Sequence, residues 1–242
     1  MMKRRIIVFA MFLMGSVMML GGCGGNLIGQ TASGPVVSRS FDVGDFTDIS
    51  IGGSRDIIFR QSDSVSVTIE QRESLFDIIE VYVRGGTLHV YFPGPIGVTN
   101  PGAQRVYVYA PTLEAASISG SARAADWDTI AGDSFYLSTS GSTNVNIPID
   151  VNNLEVSSSG SSTVTLSGRA DTADISRSGS GSVYAFDVQV QDATVRSSGS
   201  SRVNISVSDS LDVASSGSSR VRYRGSPSVR HSSSGSSSVR AD

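Results

Sequence analysis

One motif constrains this chain more than any other. Ser-Gly-Ser recurs seven times, with its glycines at Gly120, Gly141, Gly160, Gly179, Gly199, Gly217 and Gly235. The spacings are 21, 19, 19, 20, 18 and 18 residues. A single Gly/Ser run reads as a flexible linker. A linker has no reason to keep a period, whereas a stacked repeat must.

The residues around each glycine carry the second half of the pattern. Four residues before it stand Leu137, Val156, Ile175, Val195 and Val213; four residues after it stand Val145, Val164, Val183, Val203, Val221 and Val239. The odd positions are polar: Asn144, Thr163, Ser182, Arg202 and Arg220 lie three residues after the glycine. Strict alternation of β-branched and polar residues is the signature of a strand with one buried face. Parity runs through the corner, so serines two residues from the glycine, such as Ser158 and Ser162, join the inward set. One such unit is too small to bury its own face, but stacked units bury a continuous core. The pattern predicts an all-β chain, a right-handed parallel β-helix or β-solenoid with repeats of about 19 residues. The rung at Gly120 fits least well, with Ala116 and Ala124 inside and Asp126 at the next inward position.

A β-rich portion precedes the repeats. "FTDISIGGSRDIIF" sets Ile49, Ile51, Ile57 and Phe59 on one parity around Gly53, like a diverged first coil. "VYVRGGTLHVYF" reads as a hairpin turning at Gly85-Gly86. We therefore divide the head into residues 39–110, β-rich, and residues 111–242, the solenoid.

Residues 1–22 are of another kind. Lys3, Arg4 and Arg5 precede an apolar run from Ile6 to Leu20, and "LGGC" ends in Cys23. A basic start, a short apolar run and small residues before a lone cysteine resemble the signal peptide and lipobox of bacterial lipoproteins. The resemblance implies a lipidated Cys23 that anchors the chain to a membrane. Residues 23–38 then read as the lipidated cysteine and a flexible tether. The expected location is the cell envelope, at the outer membrane in a Gram-negative organism.

Composition excludes several chemistries. Cys23 is the only cysteine, so neither an internal disulfide nor a cysteine metal site can form. Lys3 is the only lysine, so a mature chain beginning at Cys23 has no P-loop and no Schiff-base chemistry. Without residues 1–22 the chain holds 16 basic against 22 acidic residues, a net of about −6. That balance argues against nucleic acid as a partner. No cofactor motif and no metal-ligand set stands out; Asp42, Asp45 and Asp48, three residues apart, offer a weak calcium loop or a polar turn.

The order of elements resembles the head GIN domain family, the autotransporter-adhesin-like heads. The resemblance rests on "FDVGDFTDISIGGSRDIIFRQ", the "GGTLHVYF" hairpin, "VYVYAPTLEAASISGSA" and the ladder ending "YRGSPSVRHSSSGSSSVR". It covers about residues 40–242 and implies a β-helical head on exported, often lipid-anchored, envelope proteins.

Two features are candidates for binding. Residues 196–242 hold seven arginines against three aspartates. Arg202 and Arg220 share one offset, Arg222 and Arg240 another, and Arg224 lies close by, which predicts stacked outward columns. Such a patch would take anionic glycans or an acidic envelope protein, or it would guard the open edge of the last coil. Trp127, the only tryptophan, lies between Asp126 and Asp128. It would either contact a sugar ring or close one flank of the solenoid. The expected function is a non-catalytic envelope lipoprotein presenting a surface for binding or adhesion. One alternative is a carbohydrate-active β-helix enzyme, which requires two carboxylates within about 10 Å in a groove. Another is a structural module that self-associates through its terminal coils.

Overall fold

Each Ser-Gly-Ser is a corner, and the corners stack. The seven glycines all have φ between 71° and 88°, the left-handed region that a side chain resists. The serine after each glycine donates its N–H to the carbonyl of the glycine one coil earlier. Ser161 bonds Gly141 at 2.8 Å, Ser180 bonds Gly160 at 3.0 Å and Ser218 bonds Gly199 at 2.8 Å. The approach leaves no room for a Cβ, which at Gly160 would sit 2.6 Å from the carbonyl oxygen of Gly141.

The chain, seen here as a computed structural model, is described over residues 30–91 and 98–242. The signal segment 1–22 and Cys23 lie outside the described residues. Strands Asn144–Ser158, Thr163–Arg177, Ser182–Ser197 and Arg202–Ser215 each run from just after one corner to just before the next. They pair in parallel with close register: Val145 faces Val164, Val164 faces Val183, and Val183 faces Val203. The parts that precede the corners form one sheet, here the leading sheet; the parts that follow form the trailing sheet. Inside, Leu137, Val156, Ile175, Val195 and Val213 are fully buried, as are Val145, Val164, Val183, Val203 and Val221. The fold is the expected β-solenoid, with the expected residues in its core.

Buried hydroxyls line the corners from within. Ser158 and Ser162 share a hydrogen bond of 2.7 Å, Ser197 and Ser201 one of 2.6 Å, and Thr139 donates to Ser158 at 2.9 Å. The coil at Gly179 departs from this. Its inward positions are Arg177, 2 % exposed, and Gly181. The guanidinium donates to the carbonyls of Ser158 at 2.9 Å and Gly160 at 2.8 Å, and to that of Ser178. Burial pushes its pKa below the ordinary value. Gly181 supplies the space, since a Cβ there would collide with the Arg177 guanidinium and the Ser162 carbonyl.

The first coil is centred on Gly53. Asp48–Ile51 pairs with Ala115–Ile118, and Asp56–Gln61 lies beside Arg123–Trp127. Beyond it the solenoid is capped. On the leading sheet, Thr87–Tyr91 pairs in parallel with Asp48–Ile51, and Glu80–Arg84 closes the edge as an antiparallel hairpin. On the trailing sheet, Arg105–Ala110 pairs with Asp56–Gln61, then Ser66–Arg72 and Val36–Phe41 follow antiparallel. At the other end, Ser228–Ser233 and Ser238–Ala241 make the last coil, each paired with the coil before it.

One expectation is corrected and one irregularity is explained. Part of the segment read as tether is structured: Gln30–Thr31 pairs with Val98–Thr99, and Val36–Phe41 adds a strand to the cap. An available sheet edge organises backbone that has no periodicity of its own. The Gly120 rung is bulged between Arg123 and Asp126. The bulge turns Asp126 away and sets Trp127 opposite Phe59 on the inside.

Gly160→Ala should destabilise the fold by about 2–4 kcal/mol, combining backbone strain with the clash at Gly141. Gly132→Ala, which meets nothing within 4 Å, should stay within about 0.5 kcal/mol of wild type. Urea unfolding of the two variants measures the contrast. The double change Arg177→Ser with Gly181→Ser should restore the hydroxyl pair and raise stability by roughly 1–3 kcal/mol, because it removes a buried cation. Gly181→Ser alone should lower it. Melting curves of the single and double variants decide this.

Candidate functional site

The outward columns of the trailing sheet are polar and uncharged over three coils: Asn144, Thr163 and Ser182 in one, Asn146, Thr165 and Tyr184 in the next. They then turn basic. Arg202 is in register with Arg220, and Arg222 with Arg240. Neighbouring strands lie about 4.8 Å apart, and alternate residues on one strand about 6.8 Å apart. Four exposed guanidinium groups thus share a small patch. The columns expected from the sequence are present.

Arg224 lies on the same strand and is held differently. Its Nε and Nη2 donate to one carboxylate oxygen of Asp242 at 3.0 and 2.8 Å. Its guanidinium also lies 4.0 Å from the centroid of Phe186. Asp242 reaches Arg222 too, at 3.6 Å. Arg202 donates to the Tyr184 hydroxyl at 3.5 Å. Ser182, and after it Arg202, holds that phenol below its ordinary pKa. One carboxylate therefore stands among five guanidinium groups. In the sequence Asp242 counts among the acids of this stretch, but neither it nor Phe186 is placed against Arg224. The signal was there, because Ser206, Arg224 and Asp242 all fall seven residues after their glycines.

Arginines elsewhere meet acids. Arg60 binds Asp126 at 2.7 Å and Asp128 at 3.7 Å, Arg105 binds Glu70 at 2.6 Å, and Arg196 binds Asp174 at 2.8 Å. Those contacts raise the pKa of Arg60 and Arg196. Only in the last coils does arginine stack directly on arginine among the described residues, an arrangement that is unfavourable without a counter-ion.

Trp127 does not belong to this surface. It is 6 % exposed, donates its Nε1–H to the Ile57 carbonyl at 2.8 Å and packs on Phe59 at 5.7 Å. The carboxylates beside it turn to Arg60, so the sugar-contact reading of Trp127 falls. Asp42, Asp45 and Asp48 do not converge either: among the described residues no three His, Cys, Asp or Glu groups could hold a metal ion.

The leading sheet carries an open groove of about 800 Å³. Glu155 and Asp174 face each other in register there, with Asp212 two coils beyond Asp174. Two carboxylates do come within 10 Å in a groove, as the enzyme alternative requires. Asp174, however, is engaged by Arg196 through both oxygens, at 2.9 and 2.8 Å. That ion pair occupies the carboxylate a catalytic pair in this groove would need.

The geometry is that of a β-solenoid head with buried structural serines at its corners and a basic wall on its last coils. Residues 45–227 match the family described as "Putative auto-transporter adhesin, head GIN domain", and the chain belongs to that family. No functionally curated protein matches it. Solved structures with the same fold include a "putative adhesin" from Bacteroides fragilis, at 24% identity and a TM-score of 0.81, covering 88% of this chain and 99% of that one. A "putative lipid binding protein" from Parabacteroides distasonis has 24% identity and a TM-score of 0.74, covering 88% and 98%. A "putative adhesin" from Parabacteroides merdae has 24% identity and a TM-score of 0.66, with the same coverage.

Trp127→Ala should cost about 3–5 kcal/mol of stability, as loss of a buried aromatic does. Folded at low temperature, this variant should bind any anionic ligand as wild type does; a denaturation curve beside a binding isotherm separates the two roles.

Proposed function

We propose that this chain is a non-catalytic cell-envelope lipoprotein, anchored at Cys23, whose solenoid head binds anionic glycans through Arg202, Arg220, Arg222 and Arg240, with Arg224 as a fixed neighbour. One observation carries the reading: two in-register arginine columns share a face with a single carboxylate, Asp242. A polyanion laid across these strands would relieve the repulsion at a regular spacing. Arginine suits the task because its planar fork pairs with sulfate, phosphate or carboxylate groups.

The layout supports an anchored receptor. The described N-terminal strand Val36–Phe41 lies in the cap, whereas the arginine wall lies eight to ten strands further along the trailing sheet, roughly 40–50 Å by the strand spacing. A lipid at Cys23 would leave that wall facing away from the membrane. One similar structure is described as lipid binding, so lipopolysaccharide joins sulfated polysaccharide among the ligands to test.

A second reading has its own observation. Ser228–Ser233 and Ser238–Ala241 pair with the preceding coil alone among the described residues, so their outer edges are open. The same arginines would then guard an edge. One experiment serves both readings. Wild type and Arg220→Ser/Arg222→Ser/Arg240→Ser are titrated with heparin and with lipopolysaccharide at several salt concentrations, and both are sized by light scattering. The binding reading expects affinity that falls with salt and drops at least about tenfold in the variant, both remaining monomeric. No binding by either protein, with oligomers formed only by the variant, would instead establish edge protection.

A further inference from the structure

The large hydrophobic side chains left exposed among the described residues are Val36, Tyr82 and Tyr91. The two tyrosines share one surface at the capped end, on the outer side of the hairpin Glu80–Arg84 and Thr87–Tyr91. Tyr82 is 41 % exposed and Tyr91 51 %. Tyr82 is in register with His89, and their rings stack with centroids 4.9 Å apart and planes 22° apart. Tyr91 follows His89 two residues along the same strand, on the same face. Tyr82, His89 and Tyr91 thus make a short aromatic strip on the leading sheet, a different face from the arginine wall.

What surrounds the strip identifies its occupant. Glu80 stands opposite Tyr91, Arg84 opposite Thr87, and Thr87 opposite Asp48. The charges around the strip are of both signs, unlike the wall of guanidinium groups on the trailing sheet. Across the sheet, His89 is in register with Ser50, and the outward column continues through Ser117, Ser138, Ser157 and Ser176. Aromatic rings bordered by hydroxyls and by charges of both signs match a pyranose, which has apolar C–H faces and a rim of hydroxyls. An acyl chain or an apolar peptide would have to desolvate Glu80, Arg84 and Asp48 without compensation. A polyanion would meet the carboxylates of the neighbouring column, where Asp48, Glu155, Asp174 and Asp212 lie.

We propose that Tyr82, His89 and Tyr91 form a binding platform for a neutral, linear polysaccharide, whose sugar rings stack on the aromatic strip while its hydroxyls bond Thr87, Ser50 and the serines beyond. This site goes beyond the anionic site and does not depend on it.

The test uses the mature chain with cellohexaose and with chitohexaose as neutral probes. Binding is read by saturation-transfer NMR and by shifts of the His89 ring resonances. Wild type should transfer saturation to the ring C–H protons of one of the two probes and shift His89. Tyr82→Ser/Tyr91→Ser should weaken that binding roughly tenfold or more, as expected for the loss of two stacking contacts. Tyr82→Phe/Tyr91→Phe, which keeps the ring faces, should retain it, and so should Arg220→Ser/Arg222→Ser/Arg240→Ser. Thermal melts within a few degrees of wild type would show that the variants are folded. No transfer to either hexasaccharide overturns the proposal, and so does equal binding by the serine double variant. Tyrosine-dependent binding to phosphatidylcholine vesicles without sugar binding would assign the strip to a membrane and overturn it as well.

Discussion

The structure depends on one backbone contact repeated at every coil: a serine N–H reaching the carbonyl of the glycine beneath it. That contact is possible only where the glycine adopts a positive φ and where no Cβ intervenes, as the 2.6 Å from Gly160 to the Gly141 oxygen makes plain. A corner built this way carries the hydrogen-bond ladder through a sharp turn, as Ser159, Ser161 and Thr163 each donate to the coil before. It also transmits register. Each glycine sits on the one below, so the valines four residues to either side must lie above valines, and the core columns follow without further instruction.

The same rule explains which parts of the fold were legible in the sequence. Parity around the glycines assigns the core valines beside the corners, Val145, Val164, Val183, Val203 and Val221 among them, and the inward serines that bond each other there, but not Val188 and Val190, which are buried at odd offsets. It also implies an inward Arg177, and here pattern and expectation conflict, because a guanidinium inside a solenoid violates the usual rule for buried charge. The conflict resolves only when Gly181 is seen to vacate the space beside it and the carbonyls of Ser158 and Gly160 accept its protons. For Trp127 the sequence offered packing on the solenoid flank, which holds, but not the position the residue takes. A bulge changes parity by one, and nothing in "ARAADWD" marks where the extra residue falls. The strand Val36–Phe41 was hidden too, because its partner Ser66–Arg72 is a cap strand some 30 residues away that no periodicity connects to it. Of the proposed binding surfaces, the arginine columns followed from shared offsets, whereas the exposure of Tyr82 and Tyr91 did not. An alternating hairpin shows which residues share a face but not which face the core takes.

Electrostatics differs along the stack in a way the repeat does not require. Near the cap and in the middle coils, arginines reach across one or two strands to carboxylates, as Arg60 does to Asp126 and Arg196 to Asp174. These exposed pairs contribute little to stability one by one, each less than about 1 kcal/mol, but they leave the surface locally balanced. The last coils abandon that balance: Arg202 lies on Arg220 and Arg222 on Arg240. A stacked fold amplifies such choices, since one substitution per repeat becomes a continuous column of like charge at the strand spacing. The separation of the leading and trailing sheets keeps that column apart from the acidic groove and from the aromatic strip, so one small scaffold can carry surfaces of opposite character.

The two ends of the solenoid face the same hazard and meet it differently. A parallel stack presents unpaired N–H and C=O groups at both ends, and two open ends would permit head-to-tail growth into filaments. Here one end is closed by antiparallel strands, the hairpin on the leading sheet and Val36–Phe41 on the trailing sheet, whose direction breaks the parallel pattern that a further coil would need. Growth is thereby confined to the far end, where two copies could meet only end to end. That meeting would bring Arg230 and Arg240 of one copy toward the same residues of the other, with Asp242 already committed to Arg222 and Arg224. Like charges facing one another across paired strands are destabilising. On the edge-protection reading the cap and the arginines would act as complementary restraints: the cap removes the partner surface that a filament needs, and the charges would oppose the one symmetric contact that remains.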